Sequence, residues 1–192
     1  MTKLAGLLLA AGASERFGGR KQLAEISGKS FVRRATDLLA GTCEAAPFVV
    51  LGAYQHDIVG EVAGRAHIVP NPDWARGMGS SIAAGMRAIM EQASYCDGVL
   101  IAVCDQIRLD ADDYQKLIDA FDGTVIVATR YPGGLGVPAI FPRSCWEELS
   151  ELDGPKGAKE MINRKGQHVK AVDLPGALID VDTKDDFAAA IA

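Results

Sequence analysis

The chain has 192 residues, 48% of them hydrophobic, and a formal net charge of -5, which fits one domain (residues 1–192) with a substantial core. No basic stretch is longer than Arg20-Lys21 or Arg33-Arg34, so nothing is arranged to neutralise a polyanion, and generic nucleic-acid binding is excluded. The apolar run near the N-terminus is too short for a signal peptide or a membrane span, and the expected location is cytoplasmic, with no membrane partner.

The first predicted element is a strand over Leu4–Leu9, a nearly uncharged run suited to the middle of a sheet covered on both faces. It opens into a glycine-rich, basic loop ending at Lys21. Gly12 and Gly18-Gly19 allow the backbone to approach an anion with its N–H groups, while Arg16, Arg20 and Lys21 add positive charge there. The loop is neither of the two common phosphate fingerprints. Ser14 stands where G-x-G-x-x-G needs its second glycine, and Leu23 stands where a Walker loop ending in Gly28-Lys29-Ser30 needs its first.

Further strands are predicted at Pro47–Leu51, His67–Val69, Val99–Val103, Thr124–Ala128 and Val137–Phe141. Helical patterning covers Phe31–Ala40, Ser80–Glu91, Ala111–Phe121 and Ser144–Leu152. Two short apolar runs, Val169–Leu174 and Leu178–Val181, precede a last predicted helix over Thr183–Ile191. Strands alternating with helices imply a mostly parallel sheet, whose ligands gather at the carboxyl ends of its strands.

Three further segments could carry chemistry, each with a purely structural alternative. Asn71–Ser81 joins a strand to a helix that Ser80 or Ser81 would cap. Asp105 follows the most apolar central run, where a carboxylate must cap, face a cleft or meet a cation. Asp180 and Asp182 would share a face if strand-borne, and either Asp182 or Thr183 could cap the last helix. Cys43, Cys96, Cys104 and Cys145 form no C-x-x-C pair, and His56, His67 and His168 are scattered, so the sequence suggests no zinc or redox site.

The string Leu-Ala-Ala-Gly-x-Ser-x-Arg-Phe-Gly-x-x-Lys, from Leu9 to Lys21, resembles the signature loop of the sugar-nucleotide and cofactor nucleotidyltransferases. It is most similar to the MobA-like branch that includes molybdenum cofactor cytidylyltransferases. The resemblance runs over nearly the whole chain. It implies an α/β, three-layer, Rossmann-like mixed and mainly parallel sheet of the nucleotide-diphospho-sugar transferase type, with a nucleotide half followed by an acceptor half. Nucleotide contacts would fall to Leu9, Ala10, Ala11, Gly12, Ser14, Lys21, Asn71, Gly79, Ser80 and Asp105, with Gly79 and Ser80 on the pyrimidine. Arg16, Lys21 and Asp105 would be catalytic, and Asp105 with Asp182 would hold Mg2+, supported by Asp180.

The same resemblance implies transfer of CMP from CTP to molybdenum cofactor (molybdopterin), with release of pyrophosphate and a transient molybdoenzyme or insertion chaperone as partner. The CTP preference rests on Ala10-Ala11-Gly12, because guanylyl-transferring relatives more often carry Leu-Ala-Gly-Gly. The alternatives are transfer of guanylyl or another nucleotidyl group to a different phosphate acceptor, or a non-catalytic nucleotide-binding chaperone. Three positions depart from the pattern: Ile107 and Lys184 replace prolines, and Pro155 replaces the aspartate of a Gly-Asp-x-Gly-Ala loop. Pro155 bears directly on acceptor identity.

Overall fold

The computed structural model describes residues 2–164 and 168–191. A seven-stranded sheet has the spatial order β5-β4-β1-β6-β8-β7-β9. Its strands are β1 (Leu4–Ala10), β4 (Phe48–Leu51), β5 (His67–Pro70), β6 (Gly98–Val103), β7 (Ile126–Tyr131), β8 (Gly134–Pro142) and β9 (Val169–Val172). The pairs β5/β4, β4/β1, β1/β6 and β7/β9 are parallel, while β8 runs antiparallel to both its neighbours. This is the mixed, mainly parallel sheet of the nucleotide-diphospho-sugar transferase fold.

All residues of β1 are buried, because helices cover both faces of the sheet. Leu4 and Leu8 face one core with Phe31, Leu39 and Tyr114, while Leu7 and Leu9 face the other with Ile82, Met86 and Ile89. The alternation is the strand period of two. The first core lies under α1 (Phe31–Thr42), α2 (Gln55–Val62) and α4 (Ala111–Ala120). The second lies under α3 (Met78–Gln92), α5 (Trp146–Ser150) and α6 (Ala158–Arg164). Ser30 caps α1 by accepting from the Arg33 N–H, and Asp110 caps α4 by accepting from that of Asp113.

The chain leaves β1 for β4 on one side of the sheet and later returns to add β6 on the other, so a crevice opens at the carboxyl ends of these central strands. Leu9 pairs in register with Val103, and the loops after β1 and β6 therefore emerge side by side. That adjacency positions the site.

Several elements differ from the sequence expectation. Leu178–Val181 is no strand: a 3-10 turn spans Pro175–Leu178, and the chain then runs on to α7 (Lys184–Ile191), with the Val181 N–H donating to the Asp105 carbonyl. Helix α3 starts at Met78 rather than Ser80, and the Ser144–Leu152 helix shortens to a 3-10 turn followed by α5. Helix α2 and helix α6 have no counterpart in the pattern. In α2 the buried residues are Ile58 and Val62, too sparse a stripe to announce a helix. A small hairpin of β2 (Glu25–Ile26) and β3 (Lys29–Ser30) completes the set.

Candidate active site

The loop after β1 is shaped by residues in the left-handed region. Ser14 (φ 54°), Gly18 (φ 87°) and Gly19 (φ 108°) fold it back so that the N–H groups of Phe17 and Gly19 both donate to the Ser14 carbonyl. Gln22 fixes its base. This buried amide donates to the carbonyls of Ala10 (3.1 Å) and Gly12 (2.7 Å), and accepts from the Ser14 hydroxyl (3.4 Å). Sequence reasoning passed over Gln22, although a polar residue directly after the last basic residue of such a loop was the available signal.

Lys21 points inward and joins three distant stretches of chain. Its Nζ donates to Asp105 Oδ2 at 2.7 Å and to Asp182 Oδ1 at 3.2 Å, while Arg16 pairs with the other oxygen of Asp182 at 2.9 Å. The Lys21 side chain is only 10% exposed. Burial by itself lowers the pKa of an ammonium, but the charges and hydrogen bonds of Asp105 and Asp182 outweigh it and hold Lys21 above its usual 10.5. Asp105 Oδ1 is buried and has no hydrogen-bond partner among the described residues. An orphaned carboxylate oxygen is costly unless something binds it. Asp105 and Asp182 are therefore not caps: α7 is capped by Thr183, whose Oγ1 accepts from the Asp186 N–H.

Two cavities meet at these acids. The first, about 530 Å³, is lined by Leu9–Arg16, Lys21 and Gln22 on one wall and by Trp74, Gly77, Met78 and Ser81 on the other. The second, about 720 Å³, is lined by Tyr131, Leu135, Val137, Pro155–Glu160 and Asp180. Met78, Val103, Asp105 and Asp182 belong to both. Asp180 opens onto the second cavity alone of the two, and its carboxyl is pushed up by burial and by the neighbouring charge of Asp105.

The structure thus brings Leu9, Ala10, Ala11, Gly12, Ser14, Arg16, Lys21, Asp105 and Asp182 to one cavity. Asn71, Gly79 and Ser80 stand behind its wall. Asn71 Nδ2 donates to both Ser80 Oγ and Ser81 Oγ at 3.0 Å, the Ser80 hydroxyl lies against the carbonyls of Asp73 and Gly77, and the Gly79 N–H donates to the Gly154 carbonyl. Neither serine caps α3. The first turn of that helix instead receives the 153–156 loop, and it can do so because Gly77 and Gly79 lack side chains. A Cβ on Gly77 would lie 2.5 Å from the Gly154 carbonyl oxygen, and one on Gly79 2.7 Å from that of Lys156.

A basic glycine loop and paired acids at the carboxyl edge of a mixed sheet, over two abutting cavities, define an enzyme that carries a nucleotide's phosphorus to a second substrate. Comparison with known proteins agrees with this class. The MobA-like NTP transferase domain matches residues 6–171, and the chain belongs to that family; it is a nucleotidyltransferase of the MobA-like type. Nicotine blue oxidoreductase of Paenarthrobacter nicotinovorans is 36% identical over 200 residues, covering 95% of this chain and 93% of that protein. Purine catabolism protein PucB of Bacillus subtilis is 25% identical over 198 residues, covering 96% and 94%. The crystal structure of Rv0371c from Mycobacterium tuberculosis H37Rv matches with a TM-score of 0.83 at 27% identity, over 99% of this chain and 97% of that one. A complex of Rv0371c with manganese matches at 0.78 and 25%, over 99% and 98%.

Proposed function

We propose that the protein transfers a nucleotidyl group, preferentially CMP from CTP, to a phosphate-bearing acceptor such as molybdopterin, releasing pyrophosphate. The observation that carries this reading is the meeting of the two cavities at Asp105 and Asp182. A donor lying along the glycine loop and an acceptor entering past Pro155–Lys159 would bring their phosphates together above the same two acids. One relative is named an oxidoreductase, but the cations of the loop converge on a site for anionic oxygens, which favours phosphoryl chemistry.

The donor set also fits a divalent cation. Asp105 offers a buried, unpartnered oxygen, and Asp182 offers a second carboxylate whose present partners are cationic side chains. Hard carboxylate oxygens suit Mg2+ or Mn2+, and Rv0371c has been crystallised with manganese. Among the described residues no cluster of His, Cys, Asp or Glu could hold a metal by itself, so phosphate and water oxygens are needed to complete the shell. Such an ion, when bound, offsets negative charge on the reacting phosphates.

The chain's own groups do the rest. Loop N–H groups and Arg16 hold the triphosphate, while Lys21, released from its two acids, stabilises charge that builds on the α-phosphate and the leaving pyrophosphate. The acceptor phosphate is already ionised, so no protein nucleophile is required. On the base side, Trp74 and Ser81 line the cavity, the Ser81 hydroxyl held by Asn71, whereas Gly79 and Ser80 do not line it, which supports Trp74 and Ser81 as the pyrimidine contacts. The test is pyrophosphate release from CTP, GTP and ATP with Mg2+ or Mn2+ and molybdopterin. CTP should be preferred; a wild-type preference for GTP would overturn the cytidylyl assignment, and release with another acceptor but not with molybdopterin would overturn the acceptor.

A further inference from the structure

Helix α7 packs against the loop after β1. Phe187 packs near Phe17 of the loop, with ring centroids 6.3 Å apart, and edge-on against Phe31 of α1 at 5.3 Å. The first turn is locked by a reciprocal capping box. Thr183 Oγ1 accepts from the Asp186 N–H, and the Asp186 carboxylate accepts from the N–H groups of Thr183 (2.7 Å) and Asp182 (3.1 Å). The same box that starts α7 therefore fixes the backbone of Asp182.

The first residue of this helix is Lys184. A Cβ on Gly18 would lie 3.8 Å from Lys184 Cε and 4.0 Å from its Nζ, so the ammonium sits beside the loop at its glycine tip. Each of the other cations of the loop faces an acid: Arg16 pairs with Asp182, Arg20 with Asp57, and Lys21 with Asp105 and Asp182. Lys184 forms no ion pair among the described residues and is exposed. Its position runs against local preference, because the positive end of a helix dipole disfavours a cation, and the next two residues, Asp185 and Asp186, are the acids expected there. A residue that breaks a local rule next to a ligand loop is a candidate for ligand contact.

We infer that Lys184 binds the distal phosphates of the nucleoside triphosphate, the part that leaves as pyrophosphate. Arg16 and Lys21 converge on Asp105 and Asp182, at the reacting phosphorus. Neither Gly18 nor Lys184 lines the cavity that holds Arg16 and Lys21, so an anion held by Lys184 lies beyond the reacting phosphorus, as the tail of the triphosphate does. The inference rests on the reading that the loop from Gly12 to Lys21 holds this triphosphate.

The experiment compares CTP, CMP and inorganic pyrophosphate by titration calorimetry on the full chain with Mg2+, for wild type, Lys184→Pro and Lys184→Arg. Proline at the first helical position preserves the helix while removing the charge. Lys184→Pro should weaken CTP and pyrophosphate about tenfold and leave CMP unchanged, and Lys184→Arg should restore both. Unchanged CTP affinity, or equal weakening of CTP and CMP, would overturn the inference, the second result marking a structural role. Should wild type bind GTP and not CTP, the cytidylyl reading falls, and GTP with GMP decides Lys184 in the same way. Wild type that binds no triphosphate or pyrophosphate overturns both.

Discussion

The two cavities of the site, one proposed for the nucleotide and one for the acceptor, are built differently. The first is largely one continuous stretch of chain, Leu9 to Gln22, stapled to itself through Ser14 and Gln22 and closed by the wall from Trp74 to Ser81. The second draws on β6, the β7–β8 hairpin, the start of α6 and the Asp180 segment, several of which are joined by Gln106, whose amide donates to the Tyr131 hydroxyl and to the carbonyls of Val137 and Ala177. A local loop can be prearranged for an invariant group such as triphosphate, whereas a wall gathered from separate segments can change its occupant one segment at a time. Pro155 lies in that second wall. The two halves share Asp105 and Asp182, and that is where the difference is most easily broken.

The largest effect is expected from Asp105→Asn. It keeps the shape but removes the charge common to both cavities, so turnover should fall by roughly 100- to 1,000-fold, the loss typical of one well-placed electrostatic group. The KM for nucleotide and for acceptor should both be disturbed in steady-state assays. A change confined to one substrate would show that the halves do not meet at this residue.

Lys21→Ala separates chemistry from scaffolding. Turnover should drop by more than about tenfold, and stability by about 2 kcal/mol, since two carboxylates lose the buried cation that joins them. The folded pKa of Lys21 lies above the unfolded 10.5, so this stabilisation is complete below pH 10.5 and disappears as pH rises through the folded value. Thermal melts of wild type and variant should therefore converge in alkali. Millimolar Mg2+ or Mn2+ should recover part of the lost Tm in the variant, and no recovery would count against a cation site at the two acids.

The contrast also explains what could be read from the sequence. Strand β1 and its loop were legible because hydrophobicity, glycines and basic residues occur in one run, and the strand-then-acid pattern marked Asp105. Nothing in spacing reveals that Lys21 meets residues 84 and 161 positions away; family resemblance alone paired Asp105 with Asp182. The start of α3 was misplaced because Gly77-Met78-Gly79 has the composition of a turn. Its glycines are there to admit another loop, a long-range fact that no local rule contains. Leu178–Val181 misled in the opposite way, since exposed Leu178 and Ile179 mimic a strand although the segment pairs with no strand of the sheet.

The smallest effect should come from Arg76→Ala, which tests whether the acceptor wall can be altered while the nucleotide wall stays intact. Arg76 reaches from the turn before α3 to the Asp153 carboxylate, and both side chains are more than half exposed. An exposed ion pair contributes at most about 1 kcal/mol, so Tm should barely move. The pair nevertheless joins the two walls where Gly77 and Gly79 allow the 153–156 loop to approach, and the Gly79 N–H still holds the Gly154 carbonyl after Arg76 is gone. Loosening one of two attachments should raise the acceptor KM by about two- to fivefold, the equivalent of up to ~1 kcal/mol, with the CTP affinity unchanged. Equal effects on both substrates would mean that the loop and the nucleotide wall move as one body. The cavity built from one loop and the cavity gathered from separate segments would then respond as a single unit.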